Sequence, residues 1–145
     1  MRTVLQRVKN ASVFVDGNEI SKINTGFLCF LGVHKDDQAE QCWELAKKIA
    51  HLRVFEDNNG KMNLSIMQIK GEILVVSQFT LYADCEGGNR PSFSKAMEAG
   101  TAEQLYKQFV QALRDLGINT QTGKFGAKMD VMLTNDGPVT IILEA

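Results

Sequence analysis

The sequence predicts an α+β fold: a curved, mostly antiparallel sheet or partial β-barrel with two main helices packed on it. Short β-branched and apolar runs bounded by turn residues recur along the chain, which is the strand signal. Two longer segments, around residues 37–51 and 101–116, instead repeat their apolar residues at helical spacing. The order of these strands and helices suggests α+β. At 145 residues and 44% hydrophobic, the chain has the size of one domain, residues 1–145, with material for a substantial core.

Taken in order, Thr3–Val8 and Ala11–Val15 read as strands, and Asp16-Gly17 before Glu19–Ile23 reads as a hairpin turn. Arg7 stands among apolar neighbours; a stem covering core with its guanidinium reaching solvent is preferred here over an anchor for backbone carbonyls. Gly26–Val33 is a fully apolar strand. Asp37 and Glu40 then have the spacing of a capping box, and Cys42, Leu45, Ala46, Ile49 and Ala50 fall on one helical face with Trp43 on its flank. Arg53–Phe55 is a short strand and Asn58-Asn59-Gly60 a turn. Leu64–Ile69 reads as an irregular or helical piece before Gly71 opens the central strand. A second helix follows Gly100, with Thr101 and Gln104 as a capping-box pair. Ala102, Leu105, Tyr106, Phe109, Val110, Leu113 and Leu116 form its core face, and Gly117 ends it. Thr120–Lys128 reads as a polar loop, mobile or ligand-facing. Val131–Leu133 and Val139–Leu143 are the last strands, and Asp136-Gly137 between them signals a hairpin turn, stiffened by Pro138. The default for an X–Pro bond is trans.

Sixteen basic and 17 acidic residues leave a net charge of −1. Nothing in that balance draws nucleic acid or an anionic membrane broadly, so such a partner needs a local patch; Lys47, Lys48, Arg53, Lys124 and Lys128 are the candidates. Cys29, Cys42 and Cys85 have no metal-type spacing and fit a reducing compartment. The longest apolar run, Phe27–Val33, is too short to span a bilayer. With no signal-peptide pattern, a soluble, cytoplasmic protein without a membrane partner is expected. Neither His34 nor His51 sits in a recognisable catalytic context. Zinc motifs, Gly-x-Gly-x-x-Gly, the P-loop and Gly-x-Ser-x-Gly are all absent, so no metal and no cofactor is expected.

The chemistry concentrates in Ile73–Asp84. Its first half is the apolar run of a strand buried on both faces, and it then changes to Ser77, Gln78 and Thr80 with Phe79 between them. Burying such groups without partners costs about 1–3 kcal/mol each, so they call for structural partners or a ligand. A strand end capped by its own side chains and a ligand site both fit. No acid or base accompanies them. An oxyanion could be held there by main-chain donors, with the attacking group coming from Thr80, water or the substrate.

Two motifs together, Ser77-Gln78-Phe79-Thr80-Leu81 and Asn135-Asp136-Gly137-Pro138-Val139-Thr140, resemble those of the bacterial D-aminoacyl-tRNA deacylases, the D-tyrosyl-tRNA deacylase family. Gln6-Arg7-Val8 and Arg90-Pro91-Ser92-Phe93 extend the resemblance over essentially the whole chain. It implies hydrolysis of the ester joining a D-amino acid, or mischarged glycine, to the 3′-terminal adenosine at the acceptor end of tRNA. It also implies a homodimer with active sites at the subunit interface. The Gly137-Pro138 peptide is then cis, against the default, and enters the partner's pocket. A stiff backbone wedge beside the substrate Cα leaves no room for an L side chain, whereas glycine has none and a D side chain points elsewhere. Arg7 takes the place of the arginine that braces this motif. Ser77, Gln78, Phe79 and Thr80 line the adenosine and ester site, and Phe125 and Met129 match pocket positions that a core role explains equally well. Family mechanisms make either Thr80 the nucleophile or the adenosine 2′-hydroxyl an assistant to backbone donors near Phe79 and Thr80. The lack of a base for Thr80 favours the second. A non-catalytic RNA-end-binding dimer and an esterase for small D-amino-acid esters are the alternatives.

Overall fold

A computed structural model describes residues 1–145. In chain order the elements are β1 (Arg2–Val15), β2 (Asn18–Ile23), β3 (Gly26–Gly32), α1 (Ala39–His51), β4 (Arg53–Glu56), β5 (Met62–Ser65), β6 (Glu72–Ser77), a 3-10 turn (Phe79–Tyr82), α2 (Ala99–Asp115), β7 (Asn119–Thr122) and β8 (Asp130–Glu144). Along one edge of β1, β3 pairs with Arg2–Val8 and β2 with Ala11–Val15; β8 takes the other edge, and all three are antiparallel to β1. Asp16 and Gly17 both have positive φ, 50° and 77°, as the tight β1–β2 hairpin requires. β6 then joins β3, and β7 joins β6, in parallel. The result is the expected architecture: two helices on a nearly closed, curved, mixed sheet.

β3 and the Ile73–Val76 stretch of β6 are apolar because both of their faces are covered. Strand alternation sends Phe27, Cys29, Leu31, Ile73 and Val75 into the larger core, with the buried stripes of α1 and α2. Leu28, Leu74 and Val76 point the other way, where the sheet curls to enclose them with Val8, Ala11, Val13 and Ile23.

Several elements differ from the sequence reading. Thr3–Val8 and Ala11–Val15 are one strand, since β8 carries the pairing past a register shift at Lys9. Asp37 does not cap α1. Its buried carboxylate accepts the Met1 ammonium at 2.7 Å and the His34 N–H at 2.6 Å, and the capping box is formed one residue on by Gln38 and Gln41. α2 starts at Ala99 rather than after Gly100, because the Glu98 carboxylate accepts the Gly100 and Thr101 N–H groups at 2.9 and 3.1 Å. Leu64 and Ser65 belong to β5, paired with β4. The expected loop from Thr120 begins in β7, whose polar sequence has no strand periodicity and is held by pairing with β6.

The largest difference is in β8. Val131–Leu133 and Val139–Leu143 lie in one continuous strand, not two joined by a hairpin. The pairs Gln6–Thr140 and Val8–Asn135 leave Arg7 of β1 facing Asp136, Gly137, Pro138 and Val139 of β8. These residues form a bulge, the place where a strand can hold a proline that has no N–H for the ladder.

The two bonds to Glu98 hold its carboxyl below its ordinary value of 4.5. A group depressed in the folded state stabilises above its unfolded pKa, and the effect is lost as pH falls through the folded pKa. Glu98→Ala is therefore expected to lower the melting temperature at neutral pH. The gap should close as the pH falls below 4.5 and through the depressed folded pKa, as read by melts at successively more acidic pH.

Candidate active site

The parallel strands β3 and β6 end together, and beyond their carboxyl ends lies a cavity of about 610 Å³. Ligand clefts favour that position in sheets of this kind. Leu31, Val33 and Val76 form its buried side, α2 contributes Ala99, Ala102 and Tyr106, and the segment after β7 contributes Phe125, Ala127 and Met129. Phe79 and Phe93, 57% and 37% exposed, meet edge to face at 5.0 Å on its solvent side.

At the end of β6 the chain changes direction. The Gln78 N–H donates to Leu31 O at 2.8 Å, and the Leu81 N–H donates back to Gln78 O at 3.2 Å, closing the 3-10 turn. Ser77, Gln78 and Phe79 line the cavity. Thr80 is exposed and outside the lining, with its hydroxyl oxygen accepting a bond from the Gln78 side-chain amide. The N–H groups of Phe79 and Thr80 open the turn, where helix geometry gives them no acceptor, and neither bonds elsewhere in the chain.

No lining residue carries a carboxylate, imidazole, ammonium or thiol; Ser77, Gln78 and Tyr106 supply the only polar side-chain atoms. Burial raises the Tyr106 phenol, which donates to Val75 O at 2.8 Å. Burial also pushes Cys29 up to about 12 and Cys42 up to about 11, so both remain thiols. No three His, Cys, Asp or Glu side chains gather where they could hold a metal ion. The site can therefore donate hydrogen bonds to a carbonyl or an oxyanion, but has no ready group to take a proton.

Arg7 is 4% exposed, so its guanidinium does not reach solvent. It donates to Val54 O at 2.6 Å and to Asp136 O at 3.1 Å, with the Asp136 carboxylate at 3.3 Å and that of Glu56 at 3.7 Å. The neck of the bulge is closed by Asn135, whose side chain accepts the Val139 N–H at 2.9 Å and donates to Thr140 Oγ1 at 3.1 Å. The Gly137–Pro138 peptide is cis, and both residues are exposed and absent from the cavity lining of their own chain. Phe125 and Met129 do line it. Lys124 and Lys128 directly precede Phe125 and Met129, whereas Lys47 lies over the Trp43 ring, Lys48 reaches Glu144 O and Arg53 binds Asn63.

The family model described as D-Tyr-tRNA(Tyr) deacylase matches residues 4–144. The chain belongs to this family. A D-aminoacyl-tRNA deacylase of Desulfatibacillum aliphaticivorans is 57% identical over 145 residues, covering all of this chain and 99% of the relative. One of Thermosipho africanus is 53% identical, covering all of this chain and 97% of the relative. A solved structure named c-Myc DNA Unwinding Element Binding Protein is 44% identical with a TM-score of 0.94, covering 100% of this chain and 99% of that one. A probable eukaryotic D-amino acid tRNA deacylase shares the fold at a TM-score of 0.86 and 15% identity, covering 98% and 97%. As a family member, the chain is a hydrolase of ester bonds with aminoacyl-tRNA as its substrate.

Within this family frame, the sequence reading missed the contribution of α2. Tyr106 was legible only as core, although a phenol among core residues signals a polar partner. Arg7→Met leaves Val54 O and Asp136 O without their donor, and is expected to cost about 1–3 kcal/mol in urea unfolding. Arg7→Lys should recover part of that, since an ammonium cannot serve both carbonyls as a guanidinium fork does.

Proposed function

We propose that the chain hydrolyses the ester between a D-amino acid and the 3′-terminal adenosine of tRNA, accepts glycine as well, and rejects L-aminoacyl-tRNA. It does so as a cytoplasmic homodimer in which the bulge of each protomer enters the pocket of the other. The observation that carries this reading is a cavity lined by Phe79, whose backbone N–H and that of the adjacent Thr80 are unpaired, with no base among the lining residues. Water attacks the acyl carbon, and the resulting oxyanion is held by the Phe79 and Thr80 N–H groups. The substrate's own 2′-hydroxyl relays the proton to the ribose 3′-oxygen as the ester C–O bond breaks. The bond from Gln78 to Thr80 and the exposure of Thr80 favour this route over a threonine nucleophile.

Action in trans is supported by position. The bulge begins at Asp136, five residues along β8 from Val131, that strand's contribution to the cavity. At strand rise that is about 17 Å. If Gly137 and Pro138 are to meet a substrate, a second copy must present them. Lys124 and Lys128 are exposed next to the cavity-lining Phe125 and Met129, which supports phosphate contacts at the acceptor end, and so few contacts give a modest salt dependence. The exposed Phe79–Phe93 pair also suits stacking on a base, which keeps a non-catalytic RNA-end binder as the alternative. An esterase for small D-amino-acid esters is the other, and turnover without tRNA would select it.

The test compares deacylation of D- and L-aminoacyl-tRNA. Release of the D-amino acid alone is expected, and tight RNA binding without ester cleavage would select the alternative. Thr80→Ala should keep the rate within about 10-fold of the parent, while tRNA ending in 2′-deoxyadenosine should lose about 100-fold or more; the reverse pattern would make Thr80 the nucleophile. At Gly137, φ is +126° and an added Cβ would lie 2.9 Å from Val139 Cγ2 and 3.1 Å from Arg7 Nη2. Gly137→Ala should therefore displace the bulge and admit L-aminoacyl-tRNA. Full protection of the L form in this variant would refute the wedge.

A further inference from the structure

If the reaction takes its donors from the 3-10 turn, the placement of that turn sets the rate: an error of about 1 Å can cost about 100-fold. The turn holds itself together weakly. None of its residues is buried, and its exits are secured by the Leu81 N–H to Gln78 O and the Ala83 N–H to Thr80 O bonds. Its position must come from what it rests on.

Beyond the Gln78 N–H bond to Leu31 O and the Phe79–Phe93 contact, two neighbouring residues supply that support. Arg2 donates through Nη1 to Leu81 O at 2.8 Å and places its guanidinium over the Tyr82 ring at 5.1 Å, while its Nε pairs with the Glu144 carboxylate. Gly32 lies against the same turn; a Cβ there would be 3.0 Å from Gln78 O, 3.1 Å from Leu81 Cβ and 3.2 Å from Tyr82 Cδ2. The two are cross-strand partners, and Glu144 is Arg2's partner on the other edge. Glu144, Arg2 and Gly32 thus form a row across β8, β1 and β3 on which the turn is seated.

We propose that Arg2 and Gly32 are positioning residues for the deacylation. Arg2 draws the Leu81 carbonyl down, and the missing side chain of Gly32 lets the turn settle, so that the Phe79 and Thr80 N–H groups are held at the cavity. Neither residue touches substrate. The inference rests on the reaction proposed for this turn. A fork is needed because one group must hold Glu144 and Leu81 O together, which a lysine ammonium on its flexible stem does less well.

The experiment measures deacylation of D-aminoacyl-tRNA and amide hydrogen exchange in the parent, Arg2→Met, Arg2→Lys and Gly32→Ala proteins. Arg2→Met and Gly32→Ala should lower kcat by about 10- to 100-fold with KM within about 3-fold, and Arg2→Lys should fall between them and the parent. The Leu81 and Ala83 amides should exchange faster in Arg2→Met. A kcat within about 2-fold of the parent in Arg2→Met, or a loss confined to KM, would overturn the proposal. Should Gly32→Ala fail to fold, the Arg2 variants decide alone. The exchange data keep the two readings apart: unaltered protection of Leu81 and Ala83 in Arg2→Met overturns the seat whatever the substrate, whereas a parent inert towards D-aminoacyl-tRNA overturns the reaction.

Discussion

A buried guanidinium has to be satisfied on all sides, and the need of Arg7 for acceptors ties together parts of the chain that would otherwise be independent. The residue is on β1; its acceptors are Val54 O of β4 and Asp136 O of the β8 bulge, with carboxylates from Glu56 and Asp136 nearby. Removing any one of these leaves a charge in the core with less than it needs. The bulge is thus held from beneath by Arg7 and closed at its neck by Asn135, while Gly137 and Pro138 remain at the surface. Glycine at position 137 follows from the same contact, since a Cβ would press on the guanidinium as well as on Val139.

The cavity is built on the opposite logic. Its walls are almost wholly apolar, and the polar groups at its mouth are backbone donors beside a serine and a glutamine. In surroundings of low dielectric, a hydrogen bond to a developing negative charge is stronger than in water. A pocket with few polar groups can therefore stabilise an oxyanion if its donors are already in place. What it cannot do is move protons. Chemistry of this kind suits a substrate that brings a hydroxyl next to its own ester, as an aminoacylated ribose does.

Much of this was legible in the sequence where local signals and tertiary structure agree. The β1–β2 turn at Asp16-Gly17, the buried stripes of both helices and the passage from apolar strand to polar mouth at Ser77 were all readable. Errors arose where a long-range partner overrode a local signal. Asp37 has the right spacing for a cap, but its carboxylate is taken by Met1 and His34. Asn119–Thr122 has no apolar period and becomes a strand only because β6 offers it an edge. Asp136-Gly137 looks like a hairpin turn, yet pairing with β1 on both sides makes it a bulge inside one strand. Arg7 misled for a related reason: a lone arginine among apolar residues normally sends its charge to water, and the carbonyls that keep it inside lie 47 and 129 residues away.

β1 has a further role that follows from strand geometry. Arg2 and Arg7 differ in parity, so in a regular strand they project from opposite faces, and the uninterrupted register with β3 from Arg2 to Val8 keeps that alternation intact. Through Arg2 the strand fixes the turn bearing Phe79 and Thr80; through Arg7 it fixes the bulge bearing Gly137 and Pro138. In the proposed dimer these serve different pockets, so each β1 braces the donors of one site and the wedge of the other. A stiff strand between the two makes their separation a fixed length. Two copies docked about a two-fold axis would then present each wedge to the opposite turn at a distance set by one element, with no flexible loop intervening.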